Sequence, residues 1–313
     1  MRGEEVVPAG THTGNEEYTP CVVKPTPFPE KNGKVPFNAS GVVAVGSRRF
    51  VFIDNKDPTA LFEMTFDANV EVVERIHRRR LTGLGEGALR DPEGLTRVDV
   101  NGETFLVVSS SLCRSGKGRI DDGLVRVRYR PEGDLHAEAM DGFRAWLLAN
   151  EPTLAEAGLQ APDDGGLNVE GLAWDPRANA LVFGLRGPAG PGRVSVVQVP
   201  IHADDAGGAG WTTASLGSPA MVHVRVPRSA TAVGIRDISH DARTGDFLLL
   251  LGRSTSRDDE PFRLGRWTRG SDSVQVLDTV FHRTAKPEGV TTFSIGGEHK
   301  ILVVDDSGGY AVL

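Results

Sequence analysis

One short string recurs along this chain, and it constrains the fold more than any other feature does. Four copies have a charged residue at the third position, and a fifth copy has serine there: Asp91-Pro92-Glu93-Gly94-Leu95, Asn168-Val169-Glu170-Gly171-Leu172, Gly234-Ile235-Arg236-Asp237-Ile238, Lys286-Pro287-Glu288-Gly289-Val290 and Asn38-Ala39-Ser40-Gly41-Val42. Each copy opens a unit that continues with a turn, an apolar β-run, a polar tip and a second β-run. Repeats of this size built only from strands predict a ring of blades, a β-propeller.

The first apolar run of each unit is apolar on both faces. These runs are Phe50-Val51-Phe52-Ile53, Phe105-Leu106-Val107-Val108, Leu181-Val182-Phe183, Phe247 to Leu251, and Ile301-Leu302-Val303-Val304. Such runs are typical of inner strands that neighbouring blades cover on both sides. We therefore expect an all-β chain that forms a single propeller of five blades. The alternative is six blades, if residues 211–226 form a degenerate one.

Two segments depart from the repeat. Residues at about 141–160 have a helical composition with one apolar face and predict a helical insertion. The last unit stops at Leu313, after its third strand, so its outer strand must come from elsewhere. We expect the β-prone segment Tyr18 to Val23 to supply that strand and close the ring. The polar residues 1–17 are expected to be a flexible leader, and residues 18–313 the propeller domain.

Composition and net charge limit the kinds of molecule that the protein is expected to bind. The net charge of −7 disfavours nucleic-acid binding, which needs a basic surface. No apolar run approaches the roughly 20 residues of a membrane span. Cys21 and Cys113 are the two cysteines, and we expect both to be free thiols in a reducing cytoplasm. These features predict a cytoplasmic monomer that binds a small molecule and needs no organic cofactor, nucleic acid or membrane.

The repeat also places one residue per unit around a common axis: Ser40, Glu93, Glu170, Arg236 and Glu288. Converging carboxylates repel one another and raise one another's pKa, so they need an arginine, a metal ion or shared protons. The three glutamates are candidate catalytic acid–base groups with Arg236 as their partner. Alternatively, they form an oxygen cage for Ca²⁺ or Mg²⁺. A third reading is structural: each glutamate accepts backbone N–H groups and holds the blades in register.

The polar tips that follow the second strands are expected to reach the same mouth. They supply the candidate substrate-binding residues Asn55, Lys56, Arg186, Arg253 and Asp306, with Arg114 just beyond its tip. Arginine suits an anionic ligand because its planar guanidinium makes two-point contacts with carboxylate or phosphate. His282 follows an outer strand and is a candidate general base.

Several of these strings together resemble a bacterial propeller family known only as domain of unknown function thirty-six-sixteen. They are Leu167 to Leu172, Gly184-Leu185-Arg186-Gly187-Pro188, Gly234 to Ile238, Lys286 to Val290, and Asp305-Asp306. The resemblance implies a propeller and carries no established reaction. More distantly, the blades are similar to phytase-like, gluconolactonase-like and strictosidine-synthase-like propellers, which implies a metal or a catalytic acid at the axial mouth. This chain departs from them at Arg236 and Ser40.

The function predicted from these observations is an enzyme of the hydrolase or lyase/isomerase type. It would act on a small polar or anionic metabolite at the axial mouth, with or without Ca²⁺. The alternative is a non-catalytic scaffold whose rim binds a protein or peptide. If the glutamates form a functional cup, Glu170→Gln is expected to leave stability equal or higher, because carboxylate repulsion is relieved.

Overall fold

The computed structural model describes residues 21–29, 37–201, 203–208, 210–227, 229, 231–257 and 261–313. The expected leader, residues 1–17, lies outside this part of the chain. The described residues are mostly β-strand, which confirms the all-β class. Their strands form sheets whose outer strands are polar and whose inner strands are buried, as the apolar runs predict.

The strands follow the order of the sequence repeat. The first unit has β3 (Ala39–Ala44), β4 (Arg49–Asp54), β5 (Ala60–Phe66) and β6 (Val73–Thr82), and the second has β7 (Pro92–Val100), β8 (Glu103–Ser110), β9 (Leu124–Arg128) and β10 (Leu135–Ala139). The third unit has β11 (Asn168–Asp175), β12 (Ala180–Gly190), β13 (Arg193–Pro200) and β14 (Ala220–Arg225), and the fourth has β15 (Val233–His240), β16 (Phe247–Arg253), β17 (Arg263–Trp267) and β18 (Gln275–Phe281). The last unit has β19 (Pro287–Ile295), β20 (Glu298–Asp305) and β21 (Gly309–Val312). Within each unit, neighbouring strands pair antiparallel.

The first strands of the units lie side by side around an axis. Strand β3 packs against β7, β7 against β11, β11 against β15, β15 against β19, and β19 against β3. The first and second units also share an eight-stranded sheet, because β6 and β10 pair in parallel through Leu135 and Leu81. Residues 211–226 contribute β14, the outer strand of the third unit, instead of a separate sheet.

An N-terminal segment does supply the outer strand of the last unit, but the predicted segment was wrong. Strand β2 (Thr26–Pro27) pairs with β21, whereas β1 (Cys21–Val23) pairs in parallel with β18 of the preceding unit. Pro27 is compatible with this position because an edge strand does not need every backbone N–H. The buried ring of Phe28 anchors the segment. The sequence did not indicate a strand here because prolines flank the residues that form it.

Apolar side chains between adjacent units form the core. At the seam between the last and first units they are largely aromatic. The Phe28 ring stacks on Phe52 with centroids 5.4 Å apart and on Tyr310 at 5.6 Å, and Phe50 meets Phe293 edge-to-face at 4.9 Å. Aromatic pairs in these geometries add about 0.5–1.5 kcal/mol each beyond the burial of their area. The seam where the ring closes is thus tightly packed.

The helical insertion lies where the composition predicts it. Helix α1 (Phe143–Asn150) is followed by three short 3₁₀ helices, Pro152–Leu154, Ala157–Leu159 and Pro162–Asp164. Phe143 and Leu147 of α1 are fully buried, and Phe143 stacks on Phe183 at 5.3 Å. Two shorter helices, α2 (Ala203–Ala206) and a 3₁₀ turn at Thr213–Ser215, lie in the third unit. Within the described residues, no helix has the length and apolar character needed to cross a membrane.

Candidate functional site

A β-bulge at the recurring string sets the direction of the candidate site residues. Each inner strand loses its one-to-one register with the next strand at this string, and the extra, unpaired residues are Gly41, Glu93, Glu170, Arg236 and Glu288. A bulge leaves one residue outside the ladder and redirects its side chain. In four strands that residue is the charged one. The bulges therefore turn the charged side chains toward one another at the axis.

Glu170 and Glu288 are joined through Arg236. Arg236 donates from Nε to Glu288 Oε2 at 3.0 Å, and its Nη2 also pairs with Glu288 Oε1. The same Nη2 lies 3.0 Å from Glu170 Oε2. Glu170 is 4% exposed, Arg236 7% and Glu288 9%. The structure thus brings together three of the residues predicted to share this position.

Arg186 extends this network from the second strand of the third unit. Its Nη1 donates to Glu170 Oε1 at 2.8 Å, and its Nε donates to the Ser254 carbonyl at 3.2 Å. Asn168 Nδ2 also donates to Glu170 Oε1 at 3.1 Å. Glu170 Oε1 therefore accepts hydrogen bonds from one guanidinium group and one amide, while Oε2 meets Arg236 as an ion pair without hydrogen-bond geometry.

Glu93 belongs to the same cluster but lacks an arginine. This half-buried side chain receives one amide hydrogen bond, from Asn55 Nδ2 at 3.4 Å, and no described residue forms an ion pair with it. Burial, together with the negative charges of Glu170, Asp91 and Glu288, raises the pKa of Glu93 well above its ordinary value. The surroundings of Glu93 thus favour its protonated form.

Burial and charge act in opposite directions on Arg236 and Glu288. Burial raises the pKa of Glu288 to about 8, while the Arg236 guanidinium opposes this change. Burial by itself lowers the pKa of Arg236, but the carboxylates of Glu170 and Glu288 outweigh it and raise that pKa overall. The charge of each of these two groups therefore depends on the charge of the other.

Asp237 has a structural role that sequence reasoning missed. It is 1% exposed and accepts the backbone N–H of Ile238 at 2.8 Å and that of Val290 at 2.6 Å, and the N–H of Leu172 also bonds to it. It thereby joins β11, β15 and β19. One feature of the sequence could have indicated this role, because Asp237 occupies the position at which the other four strings have glycine. A Cβ atom at Gly171 would lie 2.7 Å from the Ile238 nitrogen, which explains the glycine there.

The backbone-lock role expected as one reading of the glutamates thus belongs to Asp237. Glu170 and Glu288 instead bond to arginine side chains. Ser40, the fifth residue of the ring, is buried beside Glu93, and its hydroxyl makes no hydrogen bond of normal geometry with a described residue.

The remaining predicted residues lie at different distances from the cluster. Asp306 is near Glu288, whose pKa it helps to raise, and its side chain accepts from Asn38 at 3.1 Å. Lys56 is exposed at the tip after β4, and its charge partly offsets the rise that burial causes in the pKa of Asp91. Arg253 ends β16 opposite Val233.

Two predicted residues are not brought into the cluster. Arg114 forms a β-bridge with Ile120 in the loop after β8. The ring of His282 interacts with Thr284 Oγ1 of its own turn at 2.8 Å, and its backbone bonds to Val23.

Among the described residues, the three glutamates do not form a group of three ligand atoms within 4.8 Å of one another. Arg236 lies between Glu170 and Glu288, where a bridging cation would be. Among the described side chains, one group of three potential ligands is close enough to share an ion, and it consists of Asp91, Cys113 and Asp121. Cys113 is a buried free thiol, as expected; the side chain of Cys21 is not described.

A cavity of about 420 Å³ opens at the other end of the inner strands. It is lined by the residue four positions after the recurring one in all five strands: Ala44, Arg97, Trp174, His240 and Thr292. At about 3.3 Å per residue, this ring lies about 13 Å along the strands from the carboxylate cluster. The cavity therefore does not border Glu93, Glu170, Arg236 or Glu288. The cavity and the carboxylate cluster lie at opposite ends of the axis.

Comparison with known proteins assigns the family. A family model described as "Protein of unknown function (DUF3616)" matches residues 135–311. The chain belongs to this family. The match confirms the resemblance found in the recurring strings. No curated protein matches the chain by sequence.

Solved structures with a similar fold include a GH43 β-1,3-galactosidase bound to galactodeoxynojirimycin, with a TM-score of 0.53, 9% identity, and coverage of 92% of this chain and 93% of that one. An exo-β-1,3-galactanase from Phanerochaete chrysosporium has a TM-score of 0.50 and 11% identity, over 93% of this chain and 63% of that one. The WD40 β-propeller domain of Doa1 has a TM-score of 0.34 and 10% identity, over 88% of this chain and 92% of that one. At these identities the likeness to the first two structures concerns the fold alone. The TM-score of the third supports no conclusion.

Proposed function

We propose that this protein is an acid–base enzyme of the hydrolase or lyase/isomerase type, acting on a small polar or anionic metabolite at the axial mouth of a five-bladed propeller formed by residues 18–313. The observation that carries the proposal is the unequal pairing of the three glutamates. Glu170 and Glu288 each contact arginine, whereas the neutral side chains of Asn55 and Ser40 are the polar neighbours of Glu93 within the described part of the chain. Enzymes separate acid from base by giving similar groups different surroundings.

Glu93 is the proposed general acid. Its pKa is raised, so it holds a proton at a pH where an ordinary carboxyl group has lost it. It is also more exposed than Glu170 and Glu288, so a substrate in the mouth can reach it. Glu170 is the proposed base, because Arg186 and Arg236 hold its carboxyl group in one orientation within the cluster.

The arginines divide into two proposed roles. Arg236 is committed to Glu170 and Glu288, so it acts as their internal counter-ion instead of binding substrate. The side chain of Arg186 is 18% exposed, and we propose that it binds an anionic group of the substrate together with Arg253. Bridging by Arg236 favours this metal-free arrangement over a Ca²⁺ site on the three glutamates.

The rival function is a scaffold that binds a protein or peptide through an apolar rim patch. The exposed large hydrophobic residues among those described come from separate segments: Val22 in β1, Val72 between β5 and β6, Ile120 after β8, and Leu159 in the helical insertion. Scattered residues of this kind are ordinary surface, and they give the scaffold no specific support.

The test is a substrate screen with matched variants. Purified protein is assayed against chromogenic esters, lactones, phosphate esters and glycosides, beside Glu93→Gln and the distant control His282→Gln. We expect turnover of one class, a loss of at least a hundredfold in kcat for Glu93→Gln, and no change for His282→Gln. Unchanged kcat in Glu93→Gln would contradict the assigned acid, and the absence of turnover in every class would favour the scaffold.

A further inference from the structure

A second group of polar side chains lies beside the carboxylate cluster. Asp91, Cys113 and Asp121 each place one potential ligand atom within 4.8 Å of the others. Asp91 immediately precedes β7, and Cys113 and Asp121 lie in the loop between β8 and β9. The loop is held in place by backbone bonds from Ser111 to Asp91 and from Asp121 to Cys113, both at 3.0 Å.

The spacing of the sulfur and the carboxylate suits a metal ion. Cys113 Sγ lies 3.6 Å from Asp121 Oδ2. With a metal–sulfur distance of about 2.3 Å and a metal–oxygen distance of about 2.0 Å, two ligands of a tetrahedral Zn²⁺ are about 3.5 Å apart. Without an ion, the same distance is a weak hydrogen bond from the thiol. The two side chains are therefore already at the separation that shared coordination needs.

An unsatisfied hydroxyl group is directed into the same space. Ser111 is 1% exposed, and its Oγ makes no hydrogen bond of normal geometry with any residue of the described chain. It lies beside both the Asp91 carboxylate and the Cys113 sulfur. A buried hydroxyl without a partner costs free energy, which a ligand in that space would recover.

The local charge also favours a cation. Arg119 binds Asp121 through two hydrogen bonds, of 2.9 and 3.1 Å, and holds that carboxylate in one orientation. It is the sole cation paired with this group among the described residues. Asp91, the other carboxylate, forms no ion pair with a described residue and is left to neutralise a bound cation.

We propose that Asp91, Cys113 and Asp121 bind one Zn²⁺ ion, with the Ser111 hydroxyl or a water as the fourth ligand. A thiolate together with carboxylates selects a borderline-soft ion over Ca²⁺ and Mg²⁺, which take oxygen ligands. Binding releases the proton of Cys113, since the thiolate is the ligand. Asp91 is half-buried, and it provides the path by which the ion enters. The site uses none of the three glutamates, so the Zn²⁺ proposal can be tested independently of the proposed function.

The experiment uses cobalt as a spectroscopic probe of the thiolate. The full chain is treated with a chelator, dialysed, and titrated with Co²⁺ while the sulfur-to-cobalt charge-transfer absorption is followed; Zn²⁺ is then added in competition. We expect one equivalent of Co²⁺ to produce the band and Zn²⁺ to abolish it. The chain offers a matched control because Cys21 is its other cysteine.

The variants decide the assignment. Cys113→Ser should lose the band and Cys21→Ser should keep it, while Asp121→Asn and Asp91→Asn should weaken Zn²⁺ binding by at least tenfold. Circular dichroism establishes that each variant is folded, and Asp91→Asn serves as the milder substitution if Asp121→Asn is not. A missing band, a band that depends on Cys21, or Zn²⁺ affinity unchanged in Asp91→Asn would overturn the proposal and leave an adventitious ion only.

Discussion

Replacing glutamate by glutamine at two equivalent bulges should change stability in opposite directions. Glu93 and Glu170 occupy the same position of adjacent inner strands, and the substitution removes the charge at nearly constant volume. At Glu170 the change breaks the ion pairs with Arg186 at 2.8 Å and with Arg236 at 3.0 Å. At Glu93 it removes a carboxyl group that burial and three neighbouring carboxylates already disfavour as an anion.

The magnitude for Glu170→Gln follows from its pairing. Removing one partner of a buried ion pair costs about 3–5 kcal/mol. Arg236 keeps Glu288 as a partner and the Arg186 side chain is 18% exposed, so we expect about 2–4 kcal/mol here. This reverses the expectation from sequence, which assumed that Glu170 faces other carboxylates. In the structure it also pairs with two arginines.

The effect at Glu93 should depend on pH. The folded state raises the pKa of Glu93 above its ordinary value of 4.5, so the stability linked to its proton is complete below pH 4.5 and is lost as the pH rises through the folded-state pKa. Glutamine is neutral throughout. Glu93→Gln should therefore match the parent near pH 4.5 and become more stable than the parent as the pH rises to 8.

The assay is equilibrium urea unfolding of the parent and both variants at pH 4.5 and pH 8, with the slope m compared to establish that the same surface unfolds. The reasoning fails if Glu93→Gln is less stable than the parent at pH 8, or if Glu170→Gln matches it. Either result would mean that the charges are distributed differently from the pairing described above.

Three further outcomes follow from single contacts. Asp237→Ala should lose about 3 kcal/mol or more in urea unfolding, because three buried N–H groups lose their acceptor, whereas Asp237→Asn should lose less; equal losses would contradict this account. Phe28→Ala should cost about 3–5 kcal/mol in the same assay if β2 closes the ring, and a loss below about 1 kcal/mol would argue against closure by this segment. In metal-free native protein, Cys113 should react with iodoacetamide at pH 8 far more slowly than in urea, because burial raises its thiol pKa to about 11; equal rates would refute that burial.

The recurring string predicted much of the site because each copy occupies the same place in its structural unit. A residue that returns at the same place in each unit must return at the same place around the axis, whatever the details of packing. Glu170, Arg236 and Glu288 could therefore be grouped from sequence, and the structure joins them. The same logic failed for His282 and Arg114, which lie in turns of different length and so keep no common position.

The sequence by itself determined the all-β class, the repeating units and the helical insertion, since these depend on periodicity and composition along the chain. The tertiary structure determined which of the polar side chains contact one another. Arg186 pairs with Glu170, Asp237 bonds across three strands, and Asp91 meets Cys113 only because bulges and loops turn these side chains toward one another. Contacts between residues far apart in the chain depend on side-chain direction in space, and spacing along the sequence does not encode that direction.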